Sequence, residues 1–149
     1  MRIAVIGTGA IGGYFGGRLA AAGEEVVFVA RGEHLRALRA GGLKVESPKG
    51  DFAVSPLNVT DDLSGIGSVD LVLLGVKAWQ VPEVAAALGP LIGDHTAILP
   101  LQNGVEASRQ LAAEHGERHV LAGMCRIVCM VVKPWHVRHL GVEPCVVFG

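Results

Sequence analysis

The strongest constraint on this chain lies in its first residues, "MRIAVIGTGAIGGYFGG". An unbroken apolar run, Ile3 to Ile6, stops at a glycine and passes at once into a helix-like stretch. That stretch carries Gly7, Gly9, Gly12, Gly13, Gly16 and Gly17. An apolar run without alternation is how a strand buried on both faces reads. Each glycine inside a helix costs roughly 0.5–1 kcal/mol relative to alanine, so something must need this backbone bare. Gly7-Thr8-Gly9-Ala10-Ile11-Gly12 fits G-x-G-x-x-G, and here it heads a strand–helix–strand unit of about 30 residues. In that setting Gly7 permits a tight turn, Gly9 lets a pyrophosphate approach, and Gly12 brings the helix onto the sheet. The helix start offers free N–H groups and a partial positive charge to the phosphates. Gly13, Gly16 and Gly17 lie outside the fingerprint. With Gly12 they are helical neighbours four apart, and they read as close packing, with direct ligand contact as the alternative.

The same alternation continues. Residues 10–22 read as a helix stopped by Gly23, 24–30 as a second buried strand, and 31–42 as a helix stopped by Gly41 and Gly42. Residues 43–57 form a small hairpin split by "PKG", followed by a strand at 69–76. The stretch 79–92 holds a helix with Pro82 in its first turn, 96–102 is a strand, and 104–116 is a helix stopped by Gly116. The last part, 119–132, begins as a strand, with a second strand open as its continuation, and "HVRHLG" with "CVVFG" reads as a terminal hairpin. Strands alternating with helices predict an α/β fold: a Rossmann-type, doubly wound, mostly parallel sheet with an antiparallel edge hairpin near the C-terminus. Its 149 residues suit one dinucleotide-binding domain, 1–149.

The second strand decides which dinucleotide is expected. An NAD site has an acid there, about 20 residues after the glycines, to bind the ribose 2′-hydroxyl. Here the strand ends "FVARGEH", with Arg31 in that place and Glu33 as the acid able to compete. An arginine pairs with a 2′-phosphate, so NADP(H) is predicted. Two further polar residues stand at strand ends, where ligands of doubly wound sheets sit. Lys77 follows the strand at 69–76, and Asn103 follows the one at 96–102. Singly they also read as a surface lysine and a helix N-cap.

Taken in order, the glycine fingerprint, Arg31, "VKAWQ" and "LQNG" resemble the ketopantoate reductase (2-dehydropantoate 2-reductase) family, and "VRHLG" extends the resemblance through nearly the whole chain. The resemblance implies an N-terminal Rossmann domain followed by a helical domain. It implies NADPH-dependent reduction of a small 2-oxoacid, ketopantoate, to pantoate, in pantothenate and coenzyme A synthesis. It further implies that Gly7 to Gly12 hold the pyrophosphate, Arg31 meets the 2′-phosphate, and Lys77 lies near the cofactor. Asn103 touches the nicotinamide ribose and the substrate, and the backbone near Cys129 lines the cofactor site. The family's proton-donating lysine belongs to the helical domain, expected beyond Gly149. The chain is therefore expected to bind NADPH but to lack a catalytic proton donor. Two alternatives stay open: half of another 2-oxoacid or hydroxyacid reductase, or a dinucleotide-sensing module.

Other classes are disfavoured. A net charge of −1 leaves no basic footprint for nucleic acid, and no apolar run reaches the roughly 18 residues needed to span a bilayer. Three cysteines form no even framework, so a reduced, cytoplasmic protein is expected. Cys125 and Cys129, four apart in a stretch that reads as strand, share a face and read as structural, with no metal site. His34, His95 and His115 read as solvated. Half the residues are hydrophobic and only 18% are charged, which predicts an exposed apolar face for a second domain or for self-association.

Overall fold

The computed structural model describes all residues, 1–149. Along the chain, β1 (Arg2–Ile6), α1 (Ala10–Ala21), β2 (Glu25–Val29) and α2 (Gly32–Gly41) lead into the antiparallel pair β3 (Leu43–Glu46) and β4 (Phe52–Val54). Then follow β5 (Val59–Thr60), β6 (Leu71–Leu74), α3 (Val81–Ala87), β7 (Ala97–Pro100) and α4 (Glu106–His115). The chain closes with β8 (Gly123–Arg126), β9 (Cys129–Lys133), β10 (His136–His139) and β11 (Cys145–Phe148).

The central sheet is parallel throughout, in the order β5-β2-β1-β6-β7. The chain winds outward from β1 to β5, then returns to the other side of β1, so the order reverses between β1 and β6. Alternate residues of β1 feed two cores. Ala4 and Ile6 join Val81, Val84 and Leu111 from α3 and α4 on one face. Ile3 and Val5 join Tyr14, Leu35 and Leu38 from α1 and α2 on the other. Burial of all four explains the unbroken apolar run.

A second sheet, β4-β3-β10-β9, lies on the far side of α1, and a two-stranded sheet pairs β8 with β11. The extra glycines account for this sandwich. A Cβ on Gly16 would lie 2.6 Å from Val5 and 2.9 Å from Phe28, both of the central sheet. One on Gly13 would lie 3.0 Å from Val137 of β10, and one on Gly17 would lie 2.9 Å from Leu43 and from Phe52. The packing reading therefore holds, against two sheets at once.

Two local expectations change. The antiparallel hairpin near the C-terminus forms from β9 and β10, not between "HVRHLG" and "CVVFG": β10 pairs with β9 and β3, while β11 pairs with β8. Val137 fills the groove left by Gly13, and that burial outweighs the short connection to β11. Cys125 and Cys129 lie in different strands of different sheets, although both pack on the same core. Stretch 79–92 holds a helix, α3, as expected. A 3-10 turn (Ala78–Gln80) precedes α3, and a second one (Gly89–Leu91) follows it at Gly89-Pro90. Pro82 stands in the first turn of α3 as expected, because that position needs no N–H partner.

Candidate functional site

Register builds the site. Ile6 aligns with Val29 on one side and Leu74 on the other, Leu74 aligns with Pro100, and Val29 with Thr60. Five strands thus end in one row. The residues that follow, Gly7, Ala30 and Arg31, Asp61, Gly75 to Lys77 and Leu101 to Asn103, emerge along a single edge beside the point where strand order reverses.

At the centre of that edge is the glycine loop. Gly7 adopts φ +89°, and a Cβ there would strike Val76 at 2.7 Å. A Cβ on Gly12 would strike the Gly7 carbonyl oxygen at 2.2 Å, so this glycine serves the close turn of loop onto helix. Gly9 differs: a Cβ there would meet nothing within 4 Å. Protein packing does not demand a glycine at position 9, and the space is left on the outer side of the loop. The N–H groups of Gly7 and Thr8 both bond the Val29 carbonyl at 3.2 Å, and the Thr8 hydroxyl donates to it at 3.0 Å. The loop is thereby fixed while α1 starts without a side-chain cap or an acid in its first turn. Its first N–H groups remain free for an anion.

Two clefts flank this helix start and share Gly9, Gly75, Val76 and Lys77. The first, of about 270 Å³, adjoins Gly7, Thr8 and Ala30, and its charged or titratable lining groups are Arg31, His34, Asp61, Lys77 and Glu83. Arg31 precedes α2 in extended conformation and reaches Glu83 of α3 at 3.5 Å, with both side chains about three-quarters exposed (71% and 75%). His34 is not solvated. Its Nε2 donates to the Thr8 carbonyl, tying α2 to the glycine loop. Glu33 stays exposed outside the cleft lining, whereas Asp61 and Glu83 line it.

The second cleft, of about 600 Å³, is lined by Ala10, Ile11, Trp79, Gln102, Asn103 and Cys129 among others. Asn103 does not cap α4: Val105 holds that position, and no side chain caps the helix. Burial pushes the Cys129 thiol up to about 11, and neighbouring Cys125 adds to this while Lys77 opposes it. The motif glutamines hold the floor. Gln80 accepts from the Lys77 N–H at 3.0 Å and returns its own N–H to the Lys77 carbonyl at 2.9 Å. This closes the 3-10 turn on which Lys77 stands. Gln102 donates to the carbonyls of Leu74 and Val76 at the end of β6.

Nine of the ten expected site residues therefore line one cleft or the other: Gly7, Thr8, Gly9, Ala10, Ile11, Arg31, Lys77, Asn103 and Cys129. Gly12 lines neither and serves packing. Residues missed from sequence are His34, Asp61, Gly75 and Glu83. His34 stands in the first turn of α2, three positions after Arg31, which precedes the helix; its place in that turn beside the strand end was the available signal. Asp61 follows a strand of only two residues, too short to read.

The fold and site define the Rossmann-type class of α/β domains, with a ligand groove where the strand order reverses. Within that class the chain belongs to the family described as ketopantoate reductase PanE/ApbA, whose profile matches residues 3–149. It is 30% identical over 139 residues to a 2-dehydropantoate 2-reductase of Nostoc, covering 93% of this chain and 43% of that protein. The crystal structure of 2-dehydropantoate 2-reductase from Geobacter metallireducens superposes with a TM-score of 0.94 at 34% identity, over all of this chain and 49% of that one. A D-mandelate dehydrogenase in ternary complex with NADH and anilino(oxo)acetate superposes at 0.84 with 26% identity, over 95% of this chain and 46% of that one. The chain thus spans about half the length of the relatives it matches. No helix is long and apolar enough to cross a membrane.

Proposed function

We propose that residues 1–149 form the NADPH-binding domain of a cytoplasmic 2-dehydropantoate 2-reductase. The observation that carries this reading is the uncapped start of α1, left open at Gly9 and flanked by two clefts that meet at Lys77. The helix start takes the pyrophosphate, the first cleft takes the adenosine with Arg31 on the 2′-phosphate, and the second takes the nicotinamide ribose. The bound cofactor supplies a hydride to one face of a ketone. Asn103, at the mouth of the second cleft, hydrogen-bonds the ribose and the 2-oxoacid. Lys77 places its positive charge beside the reacting end, and the backbone at Cys129 forms the opposite wall. The alkoxide that forms needs a proton. Lys77 is the only lysine lining either cleft, and we assign the donor to a further helical domain rather than to it. That domain, or a second copy of the chain, covers apolar side chains left exposed on β8, β9 and β11, among them Met124, Met130, Val131, Val147 and Phe148.

Titration with NADPH and NADH tests the cofactor reading. At least a tenfold preference for NADPH, about 1.4 kcal/mol, is expected, and it should collapse in Arg31→Ala. Equal binding of both, unchanged by the substitution, overturns the role of Arg31. The likeness to an NADH-bound mandelate dehydrogenase, together with two carboxylates in the first cleft, favours a second reading. In it the chain serves an NAD-dependent reduction of another 2-oxoacid, and the same titration then shows NADH preferred.

A further inference from the structure

The pair between Arg31 and Glu83 spans the mouth of the first cleft, from the start of α2 to the first turn of α3. It is loose: one guanidinium nitrogen stands 3.5 Å from one carboxylate oxygen. A guanidinium offers five donors in a planar fork and binds phosphate through two of them at once. The pair with Glu83 therefore satisfies the charge of Arg31 without using its best geometry. An arriving 2′-phosphate, carrying close to two negative charges at neutral pH, must displace this carboxylate and then lie beside it. Asp61 lines the same cleft and adds a second negative group. A dinucleotide with a free 2′-hydroxyl meets neither cost, since it neither needs Arg31 nor repels Glu83.

We infer that Glu83 is a determinant of cofactor specificity: it is the resident counter-ion of Arg31 and lowers the preference for a 2′-phosphorylated dinucleotide. This rests on the dinucleotide reading of the cleft, but it concerns a residue outside the fingerprint and outside strand two.

The test measures dissociation constants of NADPH, NADH, adenosine 2′,5′-bisphosphate and adenosine 5′-monophosphate. The proteins are the parent, Glu83→Gln, Arg31→Ala and the double variant, with circular dichroism to confirm folding. Glu83→Gln should tighten NADPH and the bisphosphate by about 3–5-fold, the upper end for one exposed, screened contact between charges. NADH and the monophosphate should change by less than about twofold. The gain should shrink from 20 to 200 mM salt, as the Debye length falls from about 20 Å to about 7 Å. In the Arg31→Ala background it should shrink again. Unchanged or weaker NADPH binding in Glu83→Gln overturns the inference, as does equal tightening of both dinucleotides. Arg31→Ala reports separately on the parent reading. A parent protein that is folded and binds none of the four probes overturns both.

Discussion

The side-chain amide of Gln102 donates to the carbonyl of Val76 at 2.9 Å, reaching back from the end of β7 to the end of β6. It also donates to the Leu74 carbonyl at 2.8 Å, which accepts the Leu101 N–H as well. The strip from Gly75 to Lys77, shared by the two clefts, is therefore pinned from the neighbouring strand. Gln102→Leu keeps the bulk but removes the Val76 partner. It should cost about 1–3 kcal/mol, a fall of several degrees in melting temperature. Urea denaturation checks this, and an unchanged midpoint would show that the strip does not depend on the clamp.

The glycines of the first helix should separate cleanly by phenotype. Gly9→Ala places a methyl in open space at a backbone φ of −82°, so stability should stay within about 1 kcal/mol while NADPH affinity falls by more than tenfold. Gly16→Ala drives a methyl into Val5 and Phe28 and should destabilise by about 1–3 kcal/mol. Denaturation curves paired with cofactor titration distinguish the two.

Glu46 sits among Arg138, Lys44 and His136, and hydrogen bonds from Arg138 first and Lys44 second hold its carboxyl at about 2, below the ordinary 4.5. A lowered carboxyl contributes stability that is present above the unfolded value and is lost as pH falls through the folded one. The contribution of Glu46 should therefore be whole at pH 6 and fade between about pH 4.5 and 2. Glu46→Gln should be less stable than the parent at pH 6, with the difference closing towards pH 2. A gap that stays constant with pH would assign the loss to shape rather than charge.

Cys129 gives a chemical readout of the second cleft. With its thiol pushed up to about 11 by burial, it carries little thiolate at pH 8. Iodoacetamide should modify it more than tenfold more slowly than a free small thiol of ordinary acidity near 8.5. Peptide mapping after timed alkylation measures this directly, and rapid labelling would show that the thiol is not shielded.

The parts of the molecule written in local pattern were legible in the sequence. The buried strands announced themselves as unbroken apolar runs, and Gly23, Gly42 and Gly116 marked helix ends, each with positive φ. The fingerprint located the helix start, and "VKAWQ" and "LQNG" located the two strand ends. What pairing across the chain decides was not legible. Nothing near Val137 states that its strand joins β3, ninety residues earlier, because the attraction is a groove left by Gly13 on a third element. Asp61 depends on a two-residue strand, and Glu83 enters the site only because α3 packs where it does.

Helix α1 touches two sheets through its glycines, Gly16 towards one and Gly13 and Gly17 towards the other. Movement along either sheet would drive its backbone into Val5 and Phe28 on one side, or Leu43 and Phe52 on the other. The N-terminal end of the helix consequently has its position fixed from both directions. β9, which carries one wall of the second cleft, belongs to the same clamped assembly. The groove is gauged by the thickness of this helix, and whatever opens or closes over it must come from outside that assembly.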